Sequence, residues 1–402
     1  MGNALISRHG GGYAKIEFDN YTPSNAALDR LNITATLSEG RNALAATTVG
    51  NYALFGGGAD GAYIRTDVDA FNSNLVRSTP TQLSGGRTHL AATTVGDYAL
   101  FGGGDSSYSD VNPSITVDVY NSNLVKCSNL SLRYRVHSLA ATTVGNYALF
   151  GGGADVYSNY LDVVTAFSSS LTTSTPADLA DQAISLAATT VGNYALFGGG
   201  VSQNDVTAYS NSLTKSTPSK LGSGRGNLAA TTVGNYALFG GGDDYYSGAV
   251  SLVDTYNTSL TKGSATSLSA ARGYLAATTV GDYALFGGGS ATEYLSVVDA
   301  YDNNLTRSTP TKLAGTLDDL AATTVGDYAL FGGGDEFLGN GDYENTANVN
   351  VYGMAGKISI YRGSKYKFQY MDSEVTATSY YDEMNVPVPI TGYIEVKNVT
   401  YS

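Results

Sequence analysis

The stretch Leu44–Gly58 reads LAATTVGNYALFGGG, and it decides the fold because the chain repeats it with almost no change. Further copies begin at Leu90, Leu139, Leu186, Leu228, Leu275 and Leu320. One position varies among the copies, the residue after the first glycine, and it is always Asn or Asp. A spacing of 42 to 49 residues with strand-like composition is typical of repeated β-sheets rather than of a helical solenoid.

Each repeat is predicted to contain four strands. LAATTV (Leu44–Val49) is the first, and the Gly-Asn or Gly-Asp pair after it is a two-residue hairpin signal. YALF (Tyr52–Phe55) is the second, and because both of its sides are apolar it suits a sheet packed between two others. DVDAF (Asp67–Phe71) is the third. LVRSTPTQL (Leu75–Leu83) is the fourth, at an outer edge where its recurrent proline is tolerated.

Paired glycines after the second strand, an aromatic residue ending the third and an Arg before the next first strand resemble the kelch repeat. These arginines are Arg41, Arg87, Arg225 and Arg272. The resemblance covers roughly Leu28 to Tyr352 and implies a seven-bladed β-propeller. The chain lacks the Trp of the kelch fourth strand, and leucines are predicted to fill its space. They are Leu75, Leu124, Leu171, Leu213, Leu260 and Leu305.

The seventh copy has no recognisable fourth strand after NVNVY (Asn348–Tyr352). We expect Leu28–Leu37 to complete that sheet and close the ring, although NAALDRL within this region is also compatible with a short helix. The predicted fold class is therefore all-β, a seven-bladed kelch-like propeller closed by an N-terminal strand, with a small C-terminal β module. The expected divisions are an N-terminal attachment segment (1–24), the propeller (25–352) and the β module (353–402).

Composition and charge exclude several partners. A net charge of −13 argues against nucleic acid, because phosphate binding needs a concentrated basic surface. No run approaches the roughly 20 apolar residues of a membrane span, so no membrane insertion is expected. The start, MGNALISRHGGGY, lacks the apolar stretch of a secretory signal, which predicts synthesis in the cytoplasm without a signal peptide. The single cysteine, Cys127, excludes an internal disulfide.

Loops 2–3 and 4–1, named by the strands they join, are expected on one face, and they carry almost all of the variation between repeats. Their richness in Tyr, Ser, Asp, Asn and Gly is typical of antibody paratopes. Arg87, Arg133, Tyr134, Arg135 and Arg272 are expected on the same face. The candidate ligand-binding residues are Tyr63, Arg65, His89, Asp105, Tyr108, His137, Asp155, Tyr157, Tyr160, Asp243, Tyr245, Tyr246, Tyr274, Tyr294 and Tyr343.

No catalytic residue, metal or cofactor is assigned. The glycine triplet Gly56–Gly58 lacks the following helix that would hold a phosphate. Resemblance to the galactose-oxidase group would imply copper held by His and Tyr with a Cys–Tyr crosslink, but Cys127 is predicted on an outer strand. His89 and His137, with Asp105 or Asp155, are compatible with a two-His metal site, although loop histidines more often serve as simple hydrogen-bonding residues, and calcium capture by the acidic loops stays open.

Three functions compete. The first is a non-enzymatic recognition module, since the opening residues and the 353–402 region are similar to tail-associated proteins from phages of gut Firmicutes. That similarity implies a virion tail or fibre component that binds a bacterial surface glycan or protein receptor and attaches to other tail proteins through its termini. The second is a polysaccharide-active enzyme using carboxylates on the same face. The third is an intracellular kelch adaptor for a protein or peptide, and homo-oligomerisation is left open.

Overall fold

The computed structural model describes residues 3–9, 13–23, 26–61, 63–107, 112–244, 246–339, 342–361, 366–370, 373–377 and 381–397. Every regular element in this part of the chain is a β-strand, which confirms the all-β prediction. Six of the repeats each form a four-stranded antiparallel sheet, here numbered sheets 1 to 6 in chain order. The seventh repeat contributes to a six-stranded sheet, here called sheet 7.

Sheet 1 contains Ala45–Val49, Tyr52–Gly56, Val68–Asn72 and Arg77–Ser78. Sheet 2 contains Ala91–Val95, Tyr98–Gly102, Thr116–Asn121 and Lys126–Ser131. Sheet 3 contains Ala140–Val144, Tyr147–Gly151, Val164–Ser168 and Thr173–Ser174. Sheet 4 contains Ala187–Val191, Tyr194–Gly198, Val206–Ser210 and Lys215–Ser216. Sheet 5 contains Ala229–Val233, Tyr236–Gly240, Val253–Asn257 and Lys262–Ser264. Sheet 6 contains Ala276–Val280, Tyr283–Gly287, Val298–Asp302 and Arg307–Ser308. Sheet 7 contains Ala27–Arg30, Ala35–Thr36, Ala321–Val325, Tyr328–Gly332, Asn348–Tyr361 and Tyr381–Pro387.

The N-terminal region supplies strands to sheet 7, as predicted. Ala27–Arg30 pairs antiparallel with the Tyr352–Ala355 part of the long strand Asn348–Tyr361, so the alternative short helix is wrong. Ala35–Thr36 pairs with the beginning of the same strand. A separate five-stranded sheet joins both flanks and contains Asn3–His9, Tyr13–Tyr21, Tyr366–Tyr370, Ser373–Ala377 and Ile390–Lys397. Strands from the first 24 residues therefore pair with strands from the last 50.

The fourth strand is shorter than predicted, and proline explains its length. In the four repeats that carry proline there (Pro80, Pro176, Pro218 and Pro310) the strand has only two residues and ends before it. The second repeat has no proline at this place, and its fourth strand Lys126–Ser131 extends to six residues. The fifth repeat also lacks it and has three. Proline has no N–H to donate, so it ends the ladder.

Apolar packing between successive sheets forms the core. The invariant Phe of the second strand packs edge-on against the aromatic residue of the third strand, with ring centroids 5.7–6.1 Å apart in the seven repeats. Phe55, for example, is fully buried between sheets 1 and 7. The six turn leucines, such as Leu75, pack partly buried against these interfaces.

The glycine triplet is needed because neighbouring repeats approach it closely. A Cβ on Gly56 would lie 2.8 Å from the ring of Phe101 in the next sheet. On Gly57, whose φ is +71°, a Cβ would lie 2.7 Å from the carbonyl oxygen of Arg87. The triplet is therefore packing scaffold, in agreement with the rejection of a phosphate site.

Two series of hydrogen bonds connect each first strand to the next and return from the seventh repeat to the first. Threonine hydroxyls pair at 2.7–2.9 Å, beginning with Thr47 and Thr94 and ending with Thr323 and Thr48. In the other series, the second Thr of each first strand donates to a carbonyl of the preceding repeat, as Thr94 does to Thr48. The threonines of all seven first strands line one common cavity.

Four arginine–aspartate pairs are buried at equivalent positions. They are Arg41–Asp69, Arg87–Asp118, Arg225–Asp254 and Arg272–Asp299. The prediction that Arg87 and Arg272 lie on the binding face is wrong, because both side chains are at most 2 % exposed. Their guanidinium groups also donate to backbone carbonyls, as Arg272 does to Phe286, so they tie the 4–1 loop to its sheet.

Candidate functional site

The 2–3 and 4–1 loops of a repeat meet at the same end of its sheet. In five repeats an isolated antiparallel bridge joins them, as between Asn42 and Ala59 or between Thr88 and Asp105. We call the surface formed by these loops the variable face. The opposite loops are the invariant hairpin turn and the short turn between the third and fourth strands.

A ring of seven residues lies at the centre of the variable face, and we call it the central ring. Its members are Ala43, His89, Ser138, Ser185, Asn227, Tyr274 and Asp319. All have left-handed backbone with φ between 49° and 56°. Each N–H donates to the carbonyl of the ring member in the preceding repeat at 2.9–3.2 Å, and Ala43 completes the series by donating to Asp319.

The invariant first Leu of each repeat lies next to the central ring, and the two sets of residues line a cavity of about 190 Å³. Of the candidate ligand-binding residues, His89 and Tyr274 belong to this ring, and Asp319 was expected among the carboxylates of the same face. The missed signal is visible in the sequence, since the residue directly before each invariant Leu differs among almost all the copies. A constant backbone thus presents a changing set of side chains around one cavity.

Several predicted tyrosines are exposed on the variable face. Tyr157 and Tyr246 are 81 % and 92 % exposed, and Tyr63 and Tyr343 are 69 % and 58 % exposed. Tyr160 and Tyr274 are more enclosed, at 37 % and 41 %. Tyr108 and Tyr245 lie outside the described residues. Large aromatic surface in solvent is typical of recognition surfaces.

Other predicted polar residues hold the loops in shape. Asp155 accepts hydrogen bonds from the backbone N–H of Tyr157 and of Asn159 at 2.8 and 2.9 Å. The Asn159 amide, with these N–H groups, lowers the pKa of Asp155. Asp105 accepts the N–H of Asn112 at 2.9 Å, and Arg65 pairs with Asp60 and Asp67. The role of these residues is to fix how the tyrosines are presented.

His89 and His137 lie on neighbouring repeats, as predicted. Packing around the imidazole lowers the pKa of His89, although part of the side chain is exposed, and the charge of Asp105 opposes that shift. Burial also lowers the pKa of His137, and His89 acts in the same direction. Among the described residues no group of three or more His, Cys, Asp or Glu side chains is arranged to hold a metal ion.

A polar network extends outward from the central ring on repeats five and six. The Asn227 amide donates to Asp243 at 3.2 Å, and Asp243 lies over Gly273, where a Cβ would come within 2.2 Å of its carboxylate. Burial raises the pKa of Asp243. Burial, followed by the charges of Asp243 and Asp319, raises the pKa of Tyr274. The network thus connects two predicted residues through a ring residue that the sequence analysis missed.

Three neighbouring aspartates lie on the seventh repeat. Asp318, Asp319 and Asp335 form what we call the acidic cluster, in which Asp318 and Asp335 are directly opposite on paired strands. Burial and then the charge of Asp319 raise the pKa of Asp318 to about 7, with the hydroxyls of Ser290 and Tyr294 acting against the shift. Burial and then Asp335 raise the pKa of Asp319 to about 6. These are the most perturbed carboxyl groups of the described chain.

Comparisons with known proteins name no relative, since no protein-family model and no curated protein matches the chain. The described residues also hold no helix that could cross a membrane. Function is therefore inferred from the geometry of the variable face.

Proposed function

We propose that the seven repeats form a closed, seven-bladed β-propeller of the kelch type. Two observations support closure: the threonine series and the central-ring series of hydrogen bonds both return from the seventh repeat to the first. The two N-terminal strands in the last sheet give the ring a seam between distant parts of the chain, as in many kelch propellers.

We further propose that the variable face is a non-enzymatic recognition surface for a bacterial surface glycan. The observation that carries this proposal is the exposure of Tyr157 and Tyr246 on loops shaped by aspartates. Tyrosine rings stack on the apolar faces of sugars, and Asp, Asn and Ser side chains bond sugar hydroxyls. The differing residues around an invariant frame suit a surface whose specificity changes while its fold does not.

The flanks suggest where such a surface acts. Their similarity to phage tail-associated proteins supports a virion tail or fibre component, in which the termini attach to other tail proteins and the propeller binds the host receptor. Both flanks contribute strands to one sheet, so the two termini would attach to other tail proteins as a single module.

A binding experiment with the full chain tests the recognition function. On an array of bacterial surface polysaccharides, we expect the wild-type chain to bind, and the variant Tyr157→Ala/Tyr246→Ala to bind about tenfold more weakly or worse, because exposed aromatics dominate such interfaces. Val125→Ala, which trims an exposed apolar residue in a turn at the opposite end, is the matched control. Binding that the double variant leaves undiminished contradicts the proposal, and release of reducing ends from a bound polysaccharide supports the hydrolase alternative instead.

A further inference from the structure

The acidic cluster has no cationic partner among the described residues. In the described part of the chain no Lys, Arg or His forms an ion pair with Asp318, Asp319 or Asp335. The buried aspartates between sheets contrast with it, since each of those pairs with an arginine. Three neighbouring carboxylates without a counter-charge repel one another, and a ligand cation relieves that repulsion.

Asp318 has an unused acceptor at the base of this cluster. Its side chain is 7 % exposed, and its Oδ2 accepts the Ser290 hydroxyl at 2.9 Å. Its Oδ1 has no hydrogen-bond partner among the described residues. A buried carboxylate oxygen normally accepts a hydrogen bond, so Asp318 is left incompletely satisfied beneath the cluster.

Asp335 and Asp319 lie nearer to solvent. The Asn42 amide donates to Asp335 at 2.6 Å, and the Asn345 amide donates to its other oxygen. These bonds fix the orientation of the carboxylate. The backbone of Asp319 is held in the central ring. A ligand can therefore reach two half-buried carboxylates, with the charge of Asp318 beneath them.

An aromatic triad, Tyr294, Phe337 and Tyr343, adjoins the acidic cluster. Ring centroids lie 5.3 Å apart for Tyr294–Tyr343 and for Phe337–Tyr343, and 6.3 Å apart for Tyr294–Phe337. Tyr294 forms a β-bridge with Ser290, whose hydroxyl donates to Asp318, and Phe337 lies two residues after Asp335 on the same strand, so the triad adjoins the cluster. Burial, followed by the charges of Asp318 and Asp335, raises the pKa of Tyr294. Phe337 and Tyr343 are also partly exposed. Aromatic faces beside carboxylates favour organic cations over small metal ions.

We propose that the acidic cluster and the aromatic triad together bind an ammonium group carried by the ligand, so that the recognised glycan contains unacetylated amino sugars. This proposal rests on the glycan-binding function and specifies its ligand class. The ammonium group is held by Asp319 and Asp335, and the sugar ring that carries it lies against the triad.

Two oligosaccharides that differ only in the amine provide the test. Titration calorimetry is performed on the full chain with a glucosamine tetrasaccharide and with its fully N-acetylated counterpart. We expect the amine form to bind at least about tenfold more tightly, since acetylation removes the charge. Equal affinity for both forms, or no measurable binding of the amine form, overturns the proposal without the need for any variant.

Variants then locate the site. Asp319→Asn/Asp335→Asn is expected to lower affinity for the amine form by about tenfold or more and to leave that for the acetylated form unchanged. The control is Asp97→Asn/Asp327→Asn, which removes the same charge at hairpin turns of the opposite end, where other repeats carry Asn. Unchanged affinity in the first variant, with its thermal unfolding still cooperative, places the amine elsewhere. Host-polysaccharide binding that depends on Tyr157 and Tyr246 but not on the amine would end this inference and leave the proposed function standing.

Discussion

Aspartates occur in two contrasting settings in this molecule. Between the sheets, Asp254 receives the Gly222 N–H and the Arg225 guanidinium, and these contacts hold its pKa below the usual value although burial opposes them. On the variable face, Asp318 is similarly buried but has only hydroxyl partners and negative neighbours, and its pKa rises to about 7. The same residue type is a paired, ionised carboxylate in one place and a carboxyl group with a perturbed pKa in the other, and perturbed groups are concentrated at functional sites.

In the arginine–aspartate pairs, the hydrogen-bond acceptor on the third strand is kept in every repeat, whereas the arginine is not. The side chain opposite the invariant Phe accepts a backbone N–H from the segment before the first strand of its own repeat in all seven repeats. That side chain is Asp wherever the arginine is present, and it is Thr165, Thr207 or Asn350 where Val136, Ala183 or Leu317 replaces the arginine. Charge is therefore present in pairs or absent in pairs, because a lone buried ion is costly.

The largest predicted effect comes from breaking one such pair. Asp254→Ala leaves the fully buried Arg225 without its carboxylate, and we expect a loss of about 3–5 kcal/mol in the free energy of unfolding, measured by urea denaturation at pH 7. The double variant Arg225→Val/Asp254→Thr copies the third repeat and should regain more than half of that loss. If the double variant is as unstable as the single one, charge pairing is not what these positions supply.

An opposite effect is predicted on the variable face. Asp318 has a folded pKa of about 7 against an ordinary value of 3.8, so its contribution to stability is complete below the unfolded pKa and is lost as the pH rises towards 7. Asp318→Asn should therefore leave the Tm almost unchanged at pH 4 and raise it at pH 8. We expect a gain of about 1–2 kcal/mol there after allowance for solvent screening.

Thermal unfolding of both proteins at a fixed ionic strength checks this prediction. The groups that face Asp318 are Ser290, Tyr294, Asp319 and Asp335, with Tyr274 close enough to sense its charge. Asp254→Asn is the matched control and should destabilise at pH 8. A lower Tm for Asp318→Asn at pH 8 would mean that this carboxylate is satisfied after all.

The repeated strands could be predicted well from the sequence because residues at their own ends mark where they begin and end. The strand limits agree to within a residue for the second strand, since a Gly-Asn turn and a glycine triplet mark its two ends. The fourth strand was overestimated, although the proline that shortens it was visible. The burial of Arg87 was missed, because an Arg in a polar loop is indistinguishable from a surface residue until its aspartate partner, 31 positions away, is placed beside it.

The acidic cluster and the aromatic triad were less predictable. Asp318 precedes the seventh first strand and Asp335 follows the second, and only the pairing of Leu317–Asp318 with Asp335–Gly339 brings them together. Tyr294 and Tyr343 come from different repeats. Sites assembled from variable loops depend on loop conformation, and the repeated sequence carries no information about that.

The smallest effect is predicted for an aspartate in a hairpin turn, and it serves as the reference for removing one negative charge. Asp97 lies in a hairpin turn after Gly96, whose φ of +54° is what the turn requires, and four of the seven copies have Asn at this place. Asp97→Asn should therefore change the free energy of unfolding by no more than about 0.5 kcal/mol in urea denaturation, at pH 4 and at pH 8 alike. Because this variant removes the same charge as Asp318→Asn, a comparable pH-dependent gain would assign the effect to net charge. If the stability of Asp97→Asn does not depend on pH in this way, the gain in Asp318→Asn comes from the crowded carboxylates of the variable face.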